Sequence, residues 1–225
     1  MNSLRDDQRL IALLERLHAQ SHSQEKETQA YLANDGARTT VGTLDDLTAG
    51  RHFWSDKLVA LDRDKATFCY SLCRAVRARH IIEAGTSYGV STLYLAAAVR
   101  DNGGGTVIAT EYEATKAAIA RAHFAAAELA TYIDLREGDL RETLKIIAAP
   151  VDFLLLDIWT PMVGPVIELV AKHLRQGAII VADNTARHRD DYRDLFAFLE
   201  NPANGFATQT LPFDGGLEVA VKLSH

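Results

Sequence analysis

The sequence is poor in the features that mark several protein classes. Its 225 residues include only two cysteines and five prolines, and 30 acidic against 24 basic residues give a net charge of −6. This acidic balance argues against a nucleic acid or an anionic membrane surface as partner, because both require a basic face. No apolar run reaches the ~18 residues of a membrane span, and the N-terminus lacks the basic-then-apolar pattern of a signal peptide. We therefore expect a cytoplasmic globular protein.

The two cysteines are too few to form a metal site without further ligands nearby. Cys69 and Cys73 lie four residues apart, which places both on one face of a helix. A redox pair usually has the spacing C-x-x-C. We predict that both are small buried side chains in a reducing compartment.

The first fifty residues differ in pattern from the rest of the chain. Apolar residues recur at helical spacing from Leu10 to His18, and a polar stretch over residues 21–27 precedes a short second helix near Tyr31–Leu32. Asn34–Gly36 predicts a turn. The segment is either a purely structural helix pair or a cover over a functional site or a homodimer interface.

From residue 64 onward, helices alternate with short apolar strands. The predicted strands are residues 81–84, 106–110, 132–135, 151–156, 177–182, 206–211 and 217–223, and the predicted helices are residues 64–77, 90–100, 114–130, 140–148, 163–174 and 190–199. Such apolar strands indicate a parallel sheet covered on both faces, and a hairpin turn joins the last two. The predicted fold is α/β: a doubly wound, Rossmann-like, seven-stranded sheet, mostly parallel with a C-terminal antiparallel hairpin. An N-terminal helical cap, residues 1–55, precedes a single compact domain, residues 56–225.

The loop after the first strand is rich in glycine and small hydroxyls. Gly85 and Gly89 allow a tight turn and a close approach to a ligand. The hydroxyls of Ser87 and Ser91 lie near a helix N-terminus, where a carboxylate binds well. The loop is not G-x-G-x-x-G, which disfavours a dinucleotide.

Acidic residues end the next two strands. Glu111 is placed to accept hydrogen bonds from ribose hydroxyls, as in dinucleotide-binding folds. Gly138 and Asp139 follow the third strand, and Asp139 is placed to accept a bond from an adenine amino group. Together the three loops describe an adenosine ligand with a small charged tail.

A further acidic group follows the fourth and fifth strands. Asp157, Asp183 and Asn184 come after buried apolar runs, so they meet at one edge of the sheet. Carboxylate and amide oxygens suit Mg²⁺, although an aspartate at a strand end is also a common helix cap.

Residues 64–223 resemble the catechol O-methyltransferase-like family of class I S-adenosylmethionine (SAM)-dependent methyltransferases. The run Glu83–Ser91 resembles the family's first motif, which holds the methionine part of SAM. The resemblance implies SAM as cofactor and residues 56–225 as the methyltransferase domain. The positions that it assigns to the cofactor are Glu83, Gly85, Ser87, Gly89, Ser91, Glu111, Gly138, Asp139, Asp157 and Trp159, and those that it assigns to a divalent metal such as Mg²⁺ are Asp157, Asp183 and Asn184.

One departure from the family affects the general base. Many relatives have a lysine three residues after the first metal aspartate, where this chain has Thr160. Gln209 is our best match for a carboxylate that faces the substrate hydroxyls in the animal enzymes. We take Asp157 and His188 as the candidate catalytic residues, since the pKa of histidine lies near neutrality.

The resemblance implies O-methyl transfer to a hydroxyl of a small, phenolic or catechol-like molecule, with Tyr31 or Trp54 of the cap facing this acceptor. Two alternatives stay open at this point. One is a SAM-binding protein without activity, which Thr160 allows. The other is a nicotinamide-dependent oxidoreductase, which the spacing of Gly85 and Gly89 and the terminal hairpin disfavour.

Overall fold

The computed structural model describes residues 3–31, 33 and 53–223. Seven strands form one sheet in the order β3-β2-β1-β4-β5-β7-β6. The strands are β1 His80–Ala84, β2 Thr106–Glu111, β3 Ile133–Glu137, β4 Val151–Leu156, β5 Leu174–Asp183, β6 Phe206–Leu211 and β7 Leu217–Lys222. Strands β1 to β5 pair in parallel, whereas β7 is antiparallel to both β5 and β6. The predicted doubly wound sheet with a C-terminal hairpin is confirmed.

Helices cover both faces of the sheet. They are α1 Gln8–Ser23, α2 Glu25–Tyr31, α3 Arg63–Ala75, α4 Val90–Asp101, α5 Ala114–Ala126, α6 Leu140–Thr143, α7 Val163–Val170 and α8 Arg193–Glu200. Helices α1, α3, α4 and α5 contribute to one apolar core, and α6, α7 and α8 to a second core on the other face. Successive strand residues alternate between the cores: Ile81 and Phe153 lie in the first, Ile82 and Leu154 in the second. None of the described helices is both long and apolar enough to cross a membrane.

The N-terminal helix is part of the first core. Leu10, Leu13, Leu14 and Leu17 of α1 are buried, and they belong to the same apolar cluster as residues of the sheet. The polar stretch over residues 21–27 is helical except at Gln24, because α1 continues to Ser23 and α2 begins at Glu25. Its glutamate, lysine and glutamine side chains favour helix. The predicted turn at Asn34–Gly36 lies outside the described residues, and the division at residue 55 stays a prediction.

Several predicted helices end earlier in the structure than their sequence pattern, and the one expected over residues 140–148 is shortened most. Residues 140–148 were expected to be helical, yet α6 ends at Thr143. The guanidinium of Arg136 donates to the backbone carbonyls of Thr143 and Ile146, both at 2.7 Å, and so takes acceptors that a longer helix would use. The two cysteines, by contrast, are free and buried on α3, which confirms that part of the prediction that concerns their burial.

Candidate functional site

The loop between β1 and α4 turns on residues with positive φ. Gly85 and Gly89 have φ of +95° and +84°, and Ser87 between them has φ of +49°. Gly89 is the residue before the first turn of α4, and Ser91 lies buried in that turn. The predicted glycine loop therefore brings backbone and hydroxyl groups to the N-terminus of α4, at the carboxyl end of the sheet.

Glu83 is a fully buried carboxyl group beneath this loop. Its Oε2 accepts hydrogen bonds from the hydroxyls of Thr86 and Thr92, at 2.9 and 2.5 Å. Among the described residues, no partner contacts its Oε1 or the hydroxyl oxygen of Ser87. Buried polar atoms are rarely left unpaired, so these two point to a missing ligand. Burial raises the pKa of Glu83 to about 7.

We expect the raised pKa of Glu83 to make the stability of the ligand-free protein fall with pH. The ordinary pKa is 4.5 and the folded value about 7, so the folded state holds the proton more tightly. The contribution of Glu83 to the free energy of unfolding is full below the unfolded pKa, and roughly 3 kcal/mol of it is lost as pH rises through the folded pKa. Urea unfolding of wild type and Glu83→Gln at pH values between these two pKa values measures the loss. The difference in free energy of unfolding between the two proteins should change with pH over this range, and a difference that stays constant would contradict the burial argument.

Three strand ends are joined by hydrogen bonds. The backbone N–H of Ser87 donates to Glu111 Oε2 at 2.7 Å, and the N–H of Gly138 donates to the backbone carbonyl of Glu111 at 2.9 Å. Oε1 of Glu111 accepts from the N–H of Glu113 at 2.8 Å. Burial raises the pKa of Glu111. The structure thus brings together the loops that the sequence assigns to the charged tail, the ribose and the adenine.

Asp139 is in a more solvated position than Glu111. It begins α6 by accepting from the N–H of Arg141 at 2.9 Å, and it forms an ion pair with the guanidinium of the same residue. Arg141 lowers the pKa of Asp139. The carboxylate is therefore charged and oriented at the loop, as an acceptor for an amino group requires, although Arg141 takes part of its capacity.

Two carboxylates follow β4 and β5. Asp183 is the last residue of β5 and is 6% exposed, whereas Asp157 follows β4 and is half-buried. The N–H of Asp157 donates to the carbonyl of Ala84 at 3.1 Å, which fixes it beside the end of β1. Burial, followed by the charge of Asp183, raises the pKa of Asp157 well above its usual range. Burial also raises the pKa of Asp183.

A lysine from α3 contacts the second carboxylate. Nζ of Lys65 lies 2.5 Å from Asp183 Oδ1, and its side chain is 1% exposed. The other oxygen of Asp183 accepts from the side-chain amide of Asn184 at 2.7 Å. Across residues 3–31, 33 and 53–223, no three acidic, histidine or cysteine side chains are grouped to hold a metal ion. Because both carboxylate oxygens of Asp183 accept hydrogen bonds from nitrogen donors, the predicted Mg²⁺ ligands Asp157, Asp183 and Asn184 do not fit a divalent ion in this arrangement.

Sequence reasoning missed Lys65 and Tyr192. Lys65 lies four residues before Cys69 and eight before Cys73, so the stripe that buries the cysteines also predicts a buried lysine. Tyr192 is 4% exposed, and burial and then the charges of Asp157 and Asp183 raise its pKa. Its position in a polar run before α8 gives no sequence signal of this proximity.

Aromatic side chains of the N-terminal segment reach this edge of the sheet. Trp54 packs edge-on against Trp159, with ring centroids 6.3 Å apart. Tyr31 stacks on Phe53 at 3.8 Å and is edge-on to Trp54 at 5.9 Å. The rings of Tyr31, Phe53 and Trp54 thus form an aromatic wall that packs against Trp159.

The remaining predicted residues form no described side-chain hydrogen bond or ion pair with Asp157 or Asp183. His188 is paired with Asp191 at 3.6 Å, and no described hydrogen bond or ion pair joins it to Asp157 or Asp183. Gln209 lies exposed on the edge strand β6, two strands beyond β5, so it does not face the acidic pair. Thr160 begins a short 3-10 turn after Trp159.

Comparisons with known proteins agree with this fold. Residues 82–185 match a family described as a methyltransferase domain. The chain is 30% identical over 130 residues to a catechol O-methyltransferase of Mycobacterium tuberculosis (strain ATCC 25618 / H37Rv). That alignment covers 57% of this chain and 58% of the relative, so the chain spans less than two thirds of the relative's length.

Solved structures share the architecture over more of the chain. Cofactor-bound Rv0187 from MTB is 25% identical with a TM-score of 0.68, and the match covers 79% of this chain and 90% of that one. An O-methyltransferase from Bacillus cereus in complex with SAH is 22% identical with a TM-score of 0.67, covering 82% and 91%, and shows the shared fold. Together these comparisons show that residues 82–185 match a methyltransferase domain and that the chain is similar in sequence and fold to SAM-dependent O-methyltransferases.

Proposed function

We propose that the protein transfers a methyl group from SAM to a hydroxyl of a small phenolic or catechol-like molecule. The observation that carries the proposal is the linkage of Ser87, Glu111 and Gly138 beside the unpaired oxygen of Glu83. The similar protein from M. tuberculosis is named a catechol O-methyltransferase, and the similar structure from B. cereus is a complex with SAH. Both names support this reaction and this cofactor.

The residues at the strand ends suit each part of SAM. The free oxygen of Glu83 is an acceptor for the cofactor's ammonium, and the free hydroxyl of Ser87 is a donor for its carboxylate. Glu111 retains lone-pair capacity for the ribose hydroxyls beyond the bonds that it accepts from backbone N–H groups. The full set proposed to hold the cofactor is Glu83, Gly85, Ser87, Gly89, Ser91, Glu111, Gly138, Asp139, Asp157 and Trp159.

When bound, SAM supplies an electrophilic methyl group on a sulfonium, so the chain's main task is positioning. Asp157 is bonded to the end of β1 and precedes by two residues Trp159, against which the aromatic wall packs, and we assign it the proton of the acceptor hydroxyl. Its raised pKa makes the carboxylate a stronger base than an exposed aspartate. His188 is the weaker candidate, because its ion pair with Asp191 is its one described side-chain contact with an acid.

The aromatic wall favours a flat acceptor. Trp54 and Trp159 meet edge-on, and Tyr31 and Phe53 extend the same apolar surface. Aromatic rings stack on and edge-pack against other rings, which adds to their apolar burial. This supports a phenol rather than an aliphatic alcohol as substrate. A homodimer and a cytoplasmic location remain predictions from the sequence.

The cofactor assignment is tested with Glu111→Ala. Loss of a charged acceptor for ribose hydroxyls should weaken SAM by ~1–3 kcal/mol, about 5–150-fold in Kd. Titration calorimetry measures this directly. The matched control is Glu137→Ala, because Glu137 is paired with Glu111 across β2 and β3 but is exposed and bound to Arg121. Equal affinity for SAM in wild type and Glu111→Ala would show that the cofactor lies elsewhere.

The same proteins, given methyl-labelled SAM and a panel of phenols and catechols, test the reaction itself. Label should appear on an acceptor with wild type and the Glu137→Ala control. SAM binding without transfer to any acceptor would favour the inactive binding protein, and binding of a nicotinamide in place of SAM would favour the oxidoreductase.

A further inference from the structure

The edge of the sheet where Asp157 and Asp183 lie also contains a buried lysine, Lys65. Lys65 lies on α3 and reaches the end of β5, where Nζ is 2.5 Å from Asp183 Oδ1 and 3.5 Å from Asp62 Oδ2. Only 1% of its side chain is exposed. Lysine is almost never buried unless it is paired, so this position is held by the carboxylates around it. Two other lysines, Lys57 and Lys116, are also buried, but they make no described contact with Asp183 or Asp157.

The oxygens that a metal ion needs are already used. Asp183 accepts from Lys65 with one oxygen and from Asn184 Nδ2 with the other. The amide oxygen of Asn184 instead faces Gly215, where even a Cβ would overlap it. A divalent ion at this place would have to displace both nitrogen donors and lie beside a buried positive charge. Coulomb repulsion at such a distance is large in a site shielded from water.

We propose that the ammonium of Lys65 takes the place of the divalent ion, so that this methyltransferase works without a metal. Lys65 pairs with Asp183, fixes its orientation and directs a positively charged group toward an acceptor oxyanion. An ammonium is a compact point charge with three donors, which suits contact with several carboxylate oxygens. Because it is buried, Lys65 is a positioning residue and not a group that touches the substrate.

The positive charge at this site is supplied by α3, through the contact of Lys65 with Asp183. The inference about turnover rests on the proposed O-methyl transfer, whereas the inference about metal binding does not.

The first test measures Mn²⁺ binding, with electron paramagnetic resonance used to detect the Mn²⁺ that remains free. Wild type and Lys65→Arg, which keeps the charge, should not bind Mn²⁺ at this site. Lys65→Met removes the charge while keeping the volume, so it should bind one Mn²⁺ per chain. Melting of Lys65→Met should rise with Mn²⁺ by about 5–10 °C at ~100 times Kd, with no rise in wild type. Adding Asp183→Asn to Lys65→Met should abolish the gain, and Lys57→Met should not produce it.

Turnover provides the second test. EDTA should leave methyl transfer by wild type unchanged, and added Mg²⁺ should not accelerate it. A wild-type protein that binds Mn²⁺ through Asp183, or that loses turnover in EDTA and regains it with Mg²⁺, would overturn the proposal. So would a folded Lys65→Met that gains no Mn²⁺. If Lys65→Met does not fold, the wild type and Lys65→Arg still decide. Absence of any turnover, with Mn²⁺ binding as expected, would count against the proposed function alone.

Discussion

Gly85→Ala should cost roughly 2–5 kcal/mol of the free energy of unfolding and abolish SAM binding. Gly85 has φ of +95°, which a side chain disfavours, and a Cβ there would overlap the backbone carbonyl oxygen of Asp157. Neither the loop nor β4 has a flexible side chain at this contact that could move aside. The ends of β1 and β4 would have to separate, although the N–H of Asp157 bonds to Ala84 across them. Urea unfolding and titration calorimetry measure the two losses.

The matched control is Gly103→Ala. Gly103 has φ of +93°, nearly the value at Gly85, but among the described residues no atom lies within 4 Å of its Cβ position. The substitution there carries only the backbone strain, about 1–2 kcal/mol, and should leave SAM affinity unchanged. Similar losses in both variants would mean that the φ angle, and not the approach to Asp157, is what requires glycine at Gly85.

The parts of the site that follow from strand ends were predictable from the sequence. Parallel strands all present their carboxyl ends at one edge, so an apolar run that ends in a polar residue also gives that residue's place. Glu111 and Gly138 meet at 2.9 Å for this reason, without any other information about their contact. The same argument placed Asp157 and Asp183 at neighbouring strands, and the order of the sheet agrees.

The charge balance of the site was not predictable in that way. Asp157, Asp183 and Asn184 give the same pattern in the sequence whether a metal ion or a lysine neutralises them. The lysine that contacts Asp183 is Lys65, which lies on α3, more than a hundred residues earlier in the chain. Its burial depends on tertiary packing. The stripe with Cys69 and Cys73 shows which face of α3 is buried, but not which carboxylate that face meets.

Local hydrogen bonds explain where element boundaries differ from the pattern. Helix propensity and apolar spacing alone extend α6 beyond Thr143. The side chain of Arg136, on the neighbouring β3, binds the carbonyls of Thr143 and Ile146 instead. Arg136 competes for these backbone acceptors from a neighbouring strand, so the spacing of apolar residues within 140–148 cannot predict where the helix ends.

The second large effect is expected from the buried pair Lys65–Asp183. Asp183→Leu should cost ~3–5 kcal/mol of the free energy of unfolding, because it leaves a buried ammonium without its closest partner. Lys65→Met should be destabilising as well, since Asp183 then lies near Asp157 without a counter-charge. The double variant Lys65→Met with Asp183→Leu replaces both charges by apolar groups. It should recover most of the lost stability, because burying two charges is itself costly.

Urea unfolding of the four proteins gives a double-mutant cycle, with Glu142→Ala as the control for an ion pair. Glu142 binds Lys145 at the same separation of 2.5 Å, but both side chains are more than half exposed. Exposed pairs contribute only about 0–1 kcal/mol, so this control should be nearly neutral. The cycle at Lys65 and Asp183 should instead give a large coupling energy. Additive losses of the free energy of unfolding would mean that Lys65 and Asp183 do not stabilise each other. The carboxyl groups of Asp157 and Asp183 would then have to be neutral through protonation.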